Sequence, residues 1–106
     1  MIKEKTVVEL KEMMDRGDDF QLIDCREPDE YDICNLNGEL LPMGEIPANI
    51  DKISRDKPVI IHCRSGNRSG RMVQWMEQQH GFTNLYNLKG GILSWSDEID
   101  SSVQKY

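Results

Sequence analysis

The segment His62-Cys63-Arg64-Ser65-Gly66-Asn67-Arg68-Ser69-Gly70 holds the residue types that thiolate chemistry needs, at close spacing. Cys63 follows an apolar run and precedes a helical pattern. In open parallel sheets, sites form at the carboxyl ends of strands, and Cys63 falls at such an end. Three features favour thiolate over thiol. Backbone N–H groups of a tight loop converge into an anion-binding nest. The following helix adds unpaired N–H groups and the positive end of its dipole. Arg64 and Arg68 add full charge. Together they predict a Cys63 pKa below the unperturbed value of ~8.5 and a nucleophilic sulfur. Gly66 and Asn67 suit a loop that needs positive φ. Gly70 suits close packing of the helix start on the sheet. The candidate site is therefore a catalytic Cys63 inside an anion-binding loop of Arg64, Ser65, Gly66, Asn67, Arg68 and Ser69. The bland alternative is an inert, buried cysteine at a strand end. Two arginines, a Gly-Asn pair and a helix start weigh against it.

Charge points to the same place. The chain has 106 residues and a net charge of -6, yet no acidic residue lies between Asp56 and Glu77. Lys57, Arg64, Arg68 and Arg71 all fall in that interval, a basic island in an acidic chain. The acidic balance as a whole argues against nucleic acid and anionic membranes as partners. No apolar run reaches the ~18 residues of a membrane span. Met1-Ile2-Lys3-Glu4-Lys5 has no signal-peptide character, so the chain reads as cytoplasmic. Three cysteines, an odd count without a signal peptide, argue against a disulfide framework. No Cys-x-x-Cys pair exists and the two histidines are far apart, so neither a metal site nor a cofactor is expected.

The elements that must position the loop are legible. Pro58-Val59-Ile60-Ile61-His62 is the clearest strand, β-branched and apolar on both faces like a central parallel strand. Ser69 to His80 reads as a helix with Met72, Val73, Trp75 and Met76 on its apolar face. Gly81 is its stop, and Phe82 can pack back on it. Phe20 to Ile23 reads as a strand ending at Asp24, Leu85 to Leu88 as another, and Glu39 to Leu41 as a weak one. Thr6 and Glu9 form a capping box for a helix with Val7, Leu10 and Met14 at helical spacing. Glu27 to Ile33 suits a short helix with Pro28 in its first turn. Glu45 to Ile53 holds a turn or two of helix, interrupted by Pro47. Gly90-Gly91 leads into a last helix through Trp95. The alternation predicts an α/β fold with a parallel sheet covered on both sides, and residues 1–106 read as one domain.

His-Cys-Arg-Ser-Gly-Asn-Arg-Ser at 62–69 resembles the active-site loop of rhodanese domains. Leu22-Ile23-Asp24-Cys25-Arg26-Glu27 with Glu30-Tyr31, and Leu88-Lys89-Gly90-Gly91-Ile92-Leu93-Ser94-Trp95, are similar to other motifs of that family. The resemblance spans essentially the whole chain. It implies a rhodanese-like three-layer fold, with a central five-stranded parallel sheet and helices on both faces. It also implies a sulfurtransferase. Cys63 would take a sulfane sulfur from thiosulfate or a persulfide donor and pass it to cyanide, a thiol or a protein acceptor. The persulfide is a covalent intermediate that splits one transfer into two. Four residues separate Cys63 from Arg68, one fewer than in the related cysteine phosphatases and arsenate reductases. The shorter ring resembles the sulfurtransferases and speaks against the phosphatase alternative. A non-catalytic, protein-binding rhodanese module is the other alternative, and the intact Cys63 loop speaks against it.

Trp95 to Tyr106 resembles the terminus of rhodanese domains found behind E1-like sulfur-carrier adenylating enzymes. Asp32-Ile33-Cys34-Asn35 and Leu40-Leu41-Pro42-Met43-Gly44 are similar to the same subgroup. No nucleotide-binding domain accompanies them in these residues. The resemblance implies a ubiquitin-like sulfur carrier or a thioredoxin-like thiol as protein partner. It makes Asp24 and Arg26 supporting residues that brace the loop, with substrate contact by Arg26 as the alternative. Arg64 is expected at the pocket mouth, attracting anionic donors. Arg68 is expected to do likewise or to pair with a carboxylate such as Asp24. His62 reads as a packed strand residue, Trp95 as core and Cys25 as a small hydrophobe. Nothing in the sequence places Cys34 near Cys63 as a resolving thiol.

Overall fold

The computed structural model describes residues 2–106; Met1, part of the stretch read for a signal peptide, lies outside them. The described residues form one five-stranded parallel sheet in the order β1-β5-β4-β2-β3. The strands are β1 (Glu4–Lys5), β2 (Gln21–Asp24), β3 (Glu39–Leu40), β4 (Val59–His62) and β5 (Leu85–Leu88). The helices are α1 (Val7–Arg16), α2 (Pro28–Ile33), α3 (Asn67–His80) and α4 (Gly91–Glu98), with 3₁₀ turns at Met43–Glu45 and Pro47–Lys52.

β4 is central because it can be buried on both faces. Val59, Ile60 and Ile61 are fully buried and fit a pleated surface covered on both sides. On one face, Ile23, Cys25, Val59, Ile61, Cys63 and Leu85 pack against Met72, Val73 and Met76 of α3 and against the 3₁₀ turns. On the other, Ile60 and Leu88 pack against Val7, Leu10 and Met13 of α1 and Ile92 and Trp95 of α4. This is the expected three-layer arrangement, with Trp95 in the core. Residues of alternate parity serve opposite faces, as the strand period requires.

Local signals set the helices. Thr6 Oγ1 accepts the Glu9 N–H at 3.1 Å and Glu9 Oε1 accepts the Thr6 N–H at 2.8 Å, closing the capping box of α1. Met13, rather than Met14, is the fully packed methionine of α1. α3 starts at Asn67, two residues before the expected Ser69. Asn67 therefore has ordinary helical backbone, and Gly66 alone makes the left-handed turn, with φ 97°. β1 has no sequence signature. It is two charged residues on a sheet edge, joined to β5 through main-chain bonds from Asn87 N to Lys3 O (3.0 Å) and Lys89 N to Lys5 O (2.9 Å).

Candidate active site

Register places the site. Asp24 pairs with His62 across β2 and β4, so Cys25 and Cys63 leave the sheet side by side. The Cys63 loop then runs into α3. Its carbonyls are served by α4: the Ile92 N–H donates to Cys63 O and the Leu93 N–H to Arg64 O, each at 3.1 Å. These are N-terminal N–H groups that have no partner inside their own helix. Gly91 makes the approach fit. A Cβ there would lie 2.5 Å from Arg64 O and 2.7 Å from Cys63 O, and its φ is +61°.

Cys63 Sγ sits inside the turn, 1% exposed. The Gly66 N–H donates to it at 3.1 Å and the Ser69 N–H at 3.5 Å, with Ser69 Oγ at 3.3 Å. Gly66, the N-cap of α3, has no side chain, so the sulfur takes the capping position. Burial pushes the Cys63 thiol up. The Ser69 hydroxyl and the N–H groups of Ser69, Gly66 and Ser65 outweigh it and hold the thiol below its ordinary value. The expected direction is reached mainly through short hydrogen bonds rather than through the arginines.

The arginines are engaged elsewhere. Arg68 forms a two-pronged pair with Glu30 of α2, Nη1 and Nη2 each 2.8 Å from a carboxylate oxygen. Asp24, the carboxylate expected for it, is taken by Arg26 instead, with Arg26 Nη2 at 2.7 Å and Nε at 2.9 Å. Both members of that pair are fully buried. Arg26 also donates to Glu30 O, Cys34 O and the Tyr106 hydroxyl (3.3, 2.7 and 2.9 Å). Its guanidinium is thus enclosed by protein, which leaves no face for a substrate. Arg64 does not stand free at a mouth. Its Nε donates to Tyr106 O at 2.6 Å, and its guanidinium lies 5.2 Å from the Tyr106 ring centre.

Three residues without an assigned role in the sequence reading therefore matter. Glu30 holds Arg68. Tyr106 links Arg26, Arg64 and Glu30, its hydroxyl donating to Glu30 Oε1 at 2.9 Å. Asn87 of β5 lies 2.6 Å from Ser69 Oγ and donates to Gly66 O at 3.1 Å. Glu30 and Tyr106 lay within segments of family resemblance; Asn87 carried no signal beyond its place in a strand. Gly70 does pack close to the sheet, where an added Cβ would meet Asn87 Nδ2 at 3.3 Å.

His62 is fully buried with Nδ1 3.4 Å from Cys63 O and Nε2 3.6 Å from Asp24 Oδ2. Burial lowers its pKa and keeps it neutral, as suits a packed strand residue. Cys25 is buried in the Cys63 cluster, and burial pushes its thiol up to about 12. Cys34 packs with the cluster on the opposite face, beside Arg26, away from Cys63. Among the described residues, no His, Cys, Asp and Glu side chains gather in a metal-binding group, and no helix is long and apolar enough to cross a membrane.

Cys63 Sγ thus lies buried beside the N–H groups of Gly66 and Ser69, on the carboxyl edge of a doubly covered parallel sheet. Residues 6–98 match the rhodanese-like domain, and the chain belongs to that family. It is 35% identical over 97 residues to a sulfurtransferase of Allochromatium vinosum, covering 91% of this chain and 90% of that protein. It is 30% identical over 101 residues to the probable adenylyltransferase/sulfurtransferase MoeZ of Mycobacterium tuberculosis, covering 92% of this chain and 26% of that protein. The fold matches the crystal structure of a rhodanese-like domain protein from Staphylococcus aureus with a TM-score of 0.82 and 27% identity, covering 99% of each chain. The chain spans between 26% and 63% of the length of several curated relatives that it matches.

Proposed function

We propose that this protein is a sulfurtransferase in which Cys63 carries sulfur as a persulfide. The observation behind this reading is the ring of donors around Cys63 Sγ: Gly66 N at 3.1 Å, Ser69 Oγ at 3.3 Å and Ser69 N at 3.5 Å. The Cys63 thiolate attacks the terminal sulfur of a donor such as thiosulfate. The Cys63 Sγ–S bond forms, the donor's S–S bond breaks, and sulfite leaves with the electron pair. An acceptor nucleophile then attacks the outer sulfur, and Cys63 departs as thiolate. No general base is needed when the thiolate is already populated, and His62, whose ring nitrogens face Cys63 O and Asp24 rather than the sulfur, supplies none.

The near-complete burial of Cys63 favours a slender donor that presents a terminal sulfur. Alkyl persulfides and thiosulfate both meet that requirement. The likeness to MoeZ, a probable adenylyltransferase/sulfurtransferase by name, supports a protein acceptor of the sulfur-carrier kind. A thioredoxin-like thiol is the other protein acceptor that fits the chemistry. A cytoplasmic setting suits a reduced, reactive thiol.

The test is intact-protein mass spectrometry after incubation with thiosulfate or a low-molecular-weight persulfide. The protein gains the mass of one sulfur atom, and Cys63→Ser gains none. Unmodified native protein under both donors, or aryl phosphate hydrolysis that depends on Cys63, would overturn the reading.

A further inference from the structure

The amide of Asn87 has only one orientation that satisfies its neighbours. Nδ2 donates to Gly66 O at 3.1 Å and to Glu4 Oε2 at 3.2 Å. Oδ1 therefore faces Ser69, 2.6 Å from its hydroxyl oxygen. The same hydroxyl lies 3.3 Å from Cys63 Sγ. A serine hydroxyl has one proton, and an amide oxygen only accepts. In the short bond the proton points to Asn87, and Ser69 turns a lone pair towards the sulfur. That arrangement suits a thiol, or the neutral Sγ of a persulfide. A thiolate needs the proton for itself, and then Asn87 Oδ1 is left buried without a donor.

We propose that Asn87 is a positioning residue for Cys63: it holds the Ser69 proton while Sγ is neutral and releases it when Sγ is anionic. The catalytic meaning of this exchange rests on the sulfurtransferase reading. In that cycle Sγ is anionic before sulfur is taken up, neutral in the persulfide, and anionic again after transfer. The Ser69 O–H turns between two acceptors at each change. No bond is made or broken within Ser69 or Asn87. Asn87 thus lowers the free energy of the neutral-sulfur states, offsetting part of the stabilisation that the loop gives the thiolate. A thiolate held too firmly attacks a donor slowly and is a poor host for a new S–S bond.

The other charged and titratable groups around the sulfur come from every packed element. Cys25 stands beside it at the end of β2, Arg68 on α3, and His62 next to it on β4. Glu4 on β1 reaches it through the Asn87 amide, and α4 presents main-chain N–H groups. Among the described residues none of these side chains bonds the Ser69 hydroxyl, so the exchange lies between Asn87 and Cys63.

The experiment titrates Cys63 by thiolate ultraviolet absorbance and by the pH dependence of iodoacetamide alkylation. Asn87→Val is expected to lower the midpoint by about one pH unit, a tenfold change in the thiolate ratio. Ser69→Ala is expected to raise it, and Asn87→Val in the Ser69→Ala background to move it no further. A midpoint unchanged or raised in Asn87→Val overturns the proposal. So does an equal shift in both backgrounds, which is what a merely structural effect through Gly66 would give. For the native fold, the ¹³Cγ resonance of Asn87 is followed through the Cys63 titration. It is expected to move with the Cys63 midpoint in the native protein and to stay flat in Ser69→Ala. A flat native trace overturns the proposal irrespective of how the variants fold. Neither readout requires sulfur transfer, so the absence of persulfide loading would sink the proposed function without touching this result.

Discussion

Arg68 and Glu30, 38 positions apart, meet fork to fork with both hydrogen bonds at 2.8 Å. The pair ties the first turn of α3, which carries Ser69, to α2. Tyr106 braces it, its hydroxyl 2.9 Å from Glu30 Oε1.

The Arg68 guanidinium pulls the Glu30 carboxyl down from 4.5 to about 2, against the opposing effect of burial. A depressed carboxylate contributes stability that is fully present above its unfolded pKa and is lost as pH falls through its folded pKa. Stability should therefore drop between pH 4.5 and about 2. Arg68→Ala should lose about 1–2 kcal/mol at neutral pH, allowing for solvent screening of the partly exposed arginine. It should converge on the native protein at the acid end. Urea unfolding at a series of pH values checks this; parallel curves at all pH values would contradict it.

Gly91→Ala should damage the site more than its size suggests. The new Cβ would lie within 2.5–2.7 Å of the backbone of Cys63 and Arg64, at a φ of +61°. Backbone cannot yield as a flexible side chain can, so the loop must shift. A loss of about 1–3 kcal/mol is expected, with a fall in Tm of several degrees. Persulfide loading should fall further than the folded fraction does, as measured on protein kept well below its Tm.

Arg26→Ala would strand Asp24, a carboxylate with no exposure, without its ion-pair partner. The expected cost is about 3–5 kcal/mol, the usual result of removing one member of a buried pair. Arg26→Lys should recover little, because a point charge cannot reproduce bonds to Asp24, Glu30 O, Cys34 O and Tyr106 at once. Thermal melts of both variants test this. A loss under about 1 kcal/mol, the value of an exposed pair, would contradict it.

The three thiols should separate by reactivity. Cys63 is held below the ordinary thiol value, whereas burial pushes Cys25 up to about 12. Iodoacetamide at neutral pH should label Cys63 first and the half-buried Cys34 next. Cys25 should react only after unfolding. Peptide mapping by mass spectrometry reads the order. Cys34→Ser should load sulfur as the native protein does, since Cys34 lies with the opposite core cluster.

Much of this was legible in the sequence because it depends on near neighbours. The strand Val59–His62, the turn at Gly66 and the start of α3 are continuous in the chain, so residue types alone predict a nest around Cys63. The capping box of α1 and the packing of β4 on both faces are likewise local in origin. The length of the loop is also a property of the chain. What only the tertiary structure decided was the choice among distant partners. Arg68 could reach several carboxylates on sequence grounds; in the fold Arg26 occupies Asp24, and Glu30 of α2 meets Arg68. Arg64 turned to Tyr106, and β1 gained its place through main-chain bonds to β5 that no side-chain pattern announces. Asn87 reads as an ordinary strand residue until the β4–β5 register, with Asn87 opposite Ile61, sets it beneath the Cys63 loop. Hydrogen bonds and ion pairs act over a few ångströms in space, whereas spacing along the chain constrains only residues within a turn or a strand of one another. The sequence alone therefore pointed to Cys63 as the candidate sulfur; folding decided which groups surround it and hold its loop.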